Sequence, residues 1–157
     1  MSPGRTFQRE RFAAIVDDLA PLSEAHFNEV AAIYGDHVSL SHQTYQALEA
    51  RDALRIFTLR DNGELTGYCS LVVQNYIHAL HLLYAHEDAI YITPPARGRG
   101  SEWIAWQDQQ LADEGVHEVH RSVKIDHNHG TLLRRHAYAP REVVWVRRLS
   151  APQKAIA

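Results

Sequence analysis

The segment that most constrains this chain runs from residue 87 to residue 114. Glu87-Asp88-Ala89-Ile90-Tyr91-Ile92-Thr93 has the composition of a strand and passes directly into Pro94-Pro95-Ala96-Arg97-Gly98-Arg99-Gly100. Adjacent prolines remove backbone donors, so this stretch can neither extend a sheet ladder nor sit inside a helix. Ser101 to Glu114 then reads as a helix, with Gly115 as its stop. The result is strand, glycine-rich basic loop, helix. Amides at a helix N-terminus lack internal partners and lie at the positive end of the helix dipole, so such a loop attracts anions. An ordinary surface turn has the same pattern, and both readings stay open on the loop alone.

The flanking sequence supplies the other elements. Residues 7–16 read as a first strand. Ser23 stands where a helix N-cap belongs, and Phe27, Val30, Ala31 and Tyr34 recur at helical spacing until Gly35. Ser41 can cap a second, short helix that places Tyr45 and Leu48 on one side. Residues 53–60 and 65–76 read as strands joined by Asp61-Asn62-Gly63-Glu64, where Asn and Gly tolerate the positive φ of a tight hairpin. A third strand spans about 87–93. In the helix at 101–114, Trp103, Ile104 and Leu111 share a face into which Gln107 intrudes. A strand at 117–125, a helix at 128–137 and a strand at 142–149 follow. The order β-αα-ββ-β-α-β-α-β predicts a mixed sheet with helices on both faces, in the α/β or α+β class.

A length of 157 residues fits one domain, with a core over about 7–149 and loose ends. No run approaches the roughly 18 apolar residues of a membrane span, and the N-terminal residues lack a secretory pattern, so a cytosolic protein is expected. Cys69 is the only cysteine and reads as a core residue. A formal charge of -3 argues against a general polyphosphate binder. However, Arg97, Arg99, Arg134, Arg135, Arg141, Arg147 and Arg148 concentrate in the last third and allow a local basic surface. Arg134, Arg135 and His136 read mainly as a solvated helix face. Among the eleven histidines, His117, His120, His127 and His129 come nearest to a ligand set, but residues three apart on a strand point to opposite faces. No metal is expected.

The loop is neither a Walker A motif, lacking Gly-Lys-Ser/Thr, nor G-x-G-x-x-G, because Trp103 holds the third glycine position. A pyrophosphate-bearing ligand such as coenzyme A remains. Residues 87–149 resemble the second half of a GNAT acetyltransferase. They show the apolar-x-Pro strand end, Arg97-Gly98-Arg99-Gly100-Ser101, a turn with Asn128, a helix with Leu132 and Leu133, and Ala137-Tyr138 before the last strand. The paired helices at 23–50 and a hairpin strand with Gly67-Tyr68 fit the first half. The general texture of 19–149 further resembles members found in phages and prophages.

This resemblance implies a mostly antiparallel mixed sheet of about six to seven strands with about four helices, and acetyl-CoA as donor to an amine of a small molecule, peptide or protein. It also implies that backbone groups of Ile92 and Thr93 pair with the pantetheine amides. Arg97, Gly98, Arg99, Gly100 and Ser101 would hold the pyrophosphate, and Asn128 would contact the pantetheine arm or cap the following helix. Glu102, at the first turn of the helix, is expected to point away from the phosphate.

The family's carboxylate position falls on His86. In an extended strand His86, Asp88, Ile90 and Ile92 share a face, so Asp88 would orient His86 or act itself, with Glu87 facing away. Alternatively His86 and Asp88 merely begin the strand. The family's thiolate-protonating tyrosine falls on Leu133, which leaves Tyr84 or Tyr138 as replacements. Tyr76, His78, His81 and Tyr84, between the central strands, line an acceptor pocket or belong to a surface loop. A binding protein without catalysis, and an enzyme reaching a nucleic acid through its C-terminal arginines, are the competing classes. The strand at 142–149 offers an edge for a homodimer.

Overall fold

Every residue from Leu54 to Leu59 is buried, which requires cover on both faces of that strand. In a computed structural model that describes residues 4–30, 40–147 and 149, this strand, β2 (Leu54–Asp61), lies within a five-stranded sheet of order β1-β2-β3-β4-β5. The other strands are β1 (Arg5–Glu10), β3 (Glu64–Tyr76), β4 (Ala79–Ile92) and β5 (Glu118–His120). β1 through β4 pair antiparallel, and β5 pairs parallel to β4. The helices are α1 (Phe12–Val30), α2 (His42–Ala50), α3 (Gly100–Asp113) and α4 (Gly130–Arg134). The class is as expected, with five strands among the described residues where six or seven are expected.

Alternation along the strands sends residues to two cores. Phe57, Leu59, Cys69, Leu71, Val73 and Ala85 pack with Trp103 and Leu111 of α3. Leu54, Ile56, Tyr68 and Tyr91 pack with Phe12, Ile15 and Leu19 of α1, and Tyr45 and Leu48 of α2 lie against them. Full burial of a side chain such as Phe57 or Leu111 contributes about 1.5–3 kcal/mol, so α3 is clamped firmly on the sheet.

Local chemistry fixes the turns. Asn62 and Gly63 have φ of 51° and 88°, the left-handed pair that a two-residue hairpin requires. The Ser41 hydroxyl caps α2 by accepting the Thr44 N–H at 3.3 Å. Gly115, at φ 83°, follows α3 as predicted.

Several boundaries differ from the sequence reading. The first strand ends at Glu10 and α1 begins at Phe12, because the spacing of Phe12, Ile15 and Leu19 buries one helical face. The N-terminal donor of α1 is met from outside the helix: the Phe12 N–H donates to Glu49 Oε1 at 2.7 Å. Ser23 is therefore a helix-interior residue, its hydroxyl donating to the Ala20 carbonyl at 2.8 Å. Ala31, Tyr34 and Gly35 lie outside the described residues. β4 begins at Ala79, eight residues before the expected start, because it pairs along β3 as far as the turn at 77–78. The run at 142–149 forms no strand among its described residues: Val143, Val144, Trp145 and Val146 are 77–92% exposed. β5, with three residues, offers such a run almost no ladder.

Candidate active site

β4 and β5 are in register only at Tyr84–Glu118, Ala85–Val119 and His86–His120. Beyond those pairs the chains part. The gap is a cleft of about 560 Å³ with Glu87 to Ile92 of β4 on one side and Ser122, Lys124, His127 and His129 on the other. Arg97, Gly98, Gly100, Ser101 and Ile104 close one end, Leu132 and Arg135 of the α4 region join them, and His26, Glu29 and Val30 enter from α1.

A bulge in β4 decides which groups face the cleft. The pairing slips between Ser70–Ala89 and Leu71–Glu87, leaving Asp88 as the extra residue. Leu83 and Ala85 share the α3 face before the slip, whereas Ile90 and Ile92 share it afterwards. His86, Asp88, Ile90 and Ile92 therefore do not share a face. His86 is exposed and is not in the cleft wall, whereas Glu87, expected to face away, lines the cleft. Asp88 also lines it. One oxygen, Oδ2, accepts from the Tyr45 hydroxyl at 2.7 Å and the Ser70 hydroxyl at 3.1 Å, and no described residue occupies Oδ1. Burial, and then the Asp88 charge, push the Tyr45 hydroxyl well above the usual phenol range, so it stays a donor to Asp88.

The loop after β4 makes a 3₁₀ turn at Pro94–Ala96 and enters α3 through Arg97-Gly98-Arg99. Gly98 has φ 103°, and a Cβ built there meets no atom within 4 Å, so its backbone is open to an approaching group. The Ser101 hydroxyl lies 2.9 Å from His136 Nε2, and Ser101 lines the cleft. With Arg135 also in the wall, this end of α4 is turned inward in addition to being solvated. Arg99 lies outside the cleft wall and pairs with Glu102 through Nε at 2.8 Å, so Glu102 is turned away from the cleft as expected. Arg97 folds back instead of spanning the loop: Nε donates to the Ile92 carbonyl at 3.0 Å and Nη2 to both Glu29 oxygens at 2.7 Å. Both backbone groups of Thr93 are engaged, the N–H with Thr66 and the carbonyl with Ala96.

Behind the cleft lies a polar cluster that the sequence did not announce. The Arg121 guanidinium is fully buried and donates to Glu87 at 2.7 Å, Asp108 at 2.8 Å, Gln107 at 3.1 Å and the Tyr138 hydroxyl at 3.0 Å. This explains Gln107 on the buried face of α3. Burial raises the Glu87 carboxyl despite Arg121 beside it, and raises the Cys69 thiol, which stays a protonated core group. Tyr138 belongs to this cluster. Its hydroxyl donates to Asp108 at 2.7 Å, burial pushes its ionisation upward, and it is absent from the cleft wall.

Asn128 Oδ1 accepts the Gly130 N–H at 2.8 Å in the turn before α4, whose N-cap position is taken by His129 with no side-chain cap bond, and Asn128 is also outside the wall. Tyr76, His78, His81 and Tyr84 sit at the far end of the β3–β4 hairpin. None of the four lines the cleft: at about 3.3 Å per residue, Tyr84 is roughly 13 Å and His78 roughly 30 Å along the strand from Asp88. There Tyr76 and Tyr84 stack at 4.3 Å, and the Tyr76 hydroxyl meets Glu118 and His120. Among the described residues, no group of three or more His, Cys, Asp or Glu side chains is placed to hold a metal ion.

Sequence reasoning missed the α1 contribution. His26 stacks on Tyr91 with ring centroids 5.1 Å apart, and its Nδ1 lies 2.8 Å from the Tyr68 hydroxyl. Burial, then Lys124, lower its pKa to about 4, against the smaller opposing pull of Glu29 and Asp88, so the ring is neutral near pH 7. Lys124 joins the two sides of the cleft by donating to the Val30 carbonyl at 2.8 Å. The only signal for these groups was polarity on a helix whose start was misplaced.

The fold as a whole has counterparts among solved structures. The fold matches an aminoglycoside acetyltransferase, meta-AAC0020, from an uncultured soil metagenomic sample, with TM-score 0.75 and 14% identity over 95% of this chain and 99% of that one. It also matches ribosomal-protein-alanine N-acetyltransferase from Brucella melitensis biovar Abortus 2308, with TM-score 0.69 and 15% identity over 92% and 99% of the two chains. Glucosamine-6-phosphate N-acetyltransferase from Arabidopsis thaliana gives TM-score 0.69 and 8% identity over 93% and 99%. No curated protein sequence matches the chain. Residues 18–132, which run from α1 through the loop and β5 into α4, match the Acetyltransferase (GNAT) family, and the chain belongs to that family.

Proposed function

We propose that the protein transfers an acetyl group from acetyl-CoA to an amine of a small molecule, peptide or protein, by direct attack in the cleft between β4 and β5. The observation that carries this reading is the parting of these strands beside the open backbone of Gly98, with a held carboxylate, Asp88, in the same wall. The similar structures named as acting on aminoglycosides, on ribosomal-protein alanine and on glucosamine-6-phosphate support an amine acceptor.

The residues present fit an anionic ligand at this end. The amides of Gly98 and Gly100 to Glu102 lie at the start of a 14-residue helix, and Ser101, Lys124, Arg135 and Arg97 stand around the same opening. Bound acetyl-CoA supplies an acyl group already activated as a thioester. The protein's own part is to orient the acceptor and remove its proton. An alkylammonium has a pKa near ~10.4, so a base is needed at neutral pH. Asp88 is that base: Tyr45 and Ser70 fix one oxygen, and the other accepts the proton. His86 contributes only if the outer surface of β4 joins the path of that proton. The protein acts as a single domain in the cytoplasm. The exposed Val143–Val146 run is the surface we assign to a homodimer.

One feature favours a binding protein with weak catalysis. Leu133 is buried and carries no hydroxyl where the family has its tyrosine, and Tyr138 is tied to Asp108 and Arg121. Release of free CoA thiol, followed with and without a panel of amines, separates the two. Amine-dependent release supports transfer, whereas cofactor binding with no release under any amine supports the binding protein.

A further inference from the structure

Arg97 occupies a complete cation site built by the rest of the cleft. Its guanidinium lies 2.7 Å from both Glu29 oxygens and 5.9 Å from the Tyr91 ring centroid, and its Nε donates to the Ile92 carbonyl at 3.0 Å. A carboxylate, an aromatic face and a carbonyl are the groups that recognise a guanidinium or an ammonium. Glu29 comes from α1 and Arg97 from the cofactor loop, 68 residues away, so the pair ties α1 to the loop that closes the cleft.

We propose that Arg97 holds this site as an internal stand-in, that a phosphate of the cofactor draws it off Glu29, and that the vacated site then receives an organic cation on the acceptor. This rests on reading the loop as the CoA phosphate site. Two consequences follow. Glu29 competes with the cofactor for Arg97, so removing its charge strengthens cofactor binding. A cationic acceptor finds its carboxylate only after the cofactor is in place.

Calorimetric titration of CoA tests the first consequence. Glu29→Gln binds CoA tighter than wild type by about three- to tenfold, the range of a half-exposed charge-assisted pair. In an Arg97→Ala background the same substitution changes nothing. For the second, n-butylguanidinium, which mimics the cation without being acetylated, binds wild type saturated with CoA, but neither CoA-free protein nor CoA-saturated Glu29→Gln. Equal CoA affinity in wild type and Glu29→Gln, or probe binding that ignores CoA, overturns the exchange and leaves the cofactor site standing. A wild-type protein that binds no CoA overturns both.

Discussion

His26 is the clearest electrostatic test of the cleft because its cost can be worked from the structure. Its pKa falls from 6.5 to about 4 in the folded protein, chiefly through burial against Tyr68 and Tyr91 and secondly through Lys124. A depressed histidine pKa means that the unfolded chain takes up a proton before the folded one does. Stability is therefore full above about pH 6.5 and falls as the pH drops toward 4. Each unit is worth about 1.4 kcal/mol, so descending to pH 5 would remove about 2 kcal/mol for a wholly buried ring. The ring is partly open to the cleft, and screening by water reduces this to about 1 kcal/mol. Urea unfolding of wild type and His26→Asn at pH 7 and pH 5 isolates the effect, because every other side chain is common to both proteins. The variant should lose about 1 kcal/mol less than wild type over that interval. Identical pH dependence in the two proteins would refute the reasoning.

Three further outcomes follow from the structure. Asp88→Asn should lower amine-dependent thiol release about 10²- to 10³-fold with little change in the KM for acetyl-CoA, whereas His86→Ala should leave it unchanged; equal losses in both would restore the paired base read from the sequence. Glu87→Ala leaves the buried Arg121 with Asp108 as its remaining carboxylate, so about 3 kcal/mol of stability should be lost, a fall in Tm of about 6–12 °C by calorimetry. Glu10 is held below the usual carboxylate range because bonds from Arg60 and Thr58 outweigh its burial. Its contribution is present above about pH 4.5 and lost below, and Glu10→Gln should flatten the acid limb of a Tm–pH profile.

What could be read from the sequence was whatever short-range chemistry determines. Asn62-Gly63 defined a hairpin, Ser41 a cap, Gly115 a helix stop, and the proline–glycine loop the junction of β4 and α3. What could not be read was fixed by contacts between distant segments. The α1 boundary depends on Glu49 reaching the Phe12 amide, and the phase of β4 depends on one extra residue in its pairing with β3. That single residue exchanges the roles expected of His86 and Glu87, because strand faces alternate at every position. Gln107 looked like a flaw in an apolar stripe until Arg121, 14 positions on, gave it a partner. The run at 142–149 is the opposite case: its composition suits a ladder, but its described residues form no strand, and β5, with three residues, is too short to provide a ladder.

The most direct test of the account is thermal unfolding with acetyl-CoA, free CoA and ATP, on wild type and Gly98→Glu. A ligand at ~100 times its dissociation constant adds roughly 2.7 kcal/mol, a rise of about 5–10 °C for a domain of this size. The account predicts that rise with both CoA forms in wild type and none in Gly98→Glu, where a carboxylate enters the open space beside the loop. No rise with millimolar acetyl-CoA, or an equal rise in Gly98→Glu, would contradict the assignment of this cleft to the cofactor.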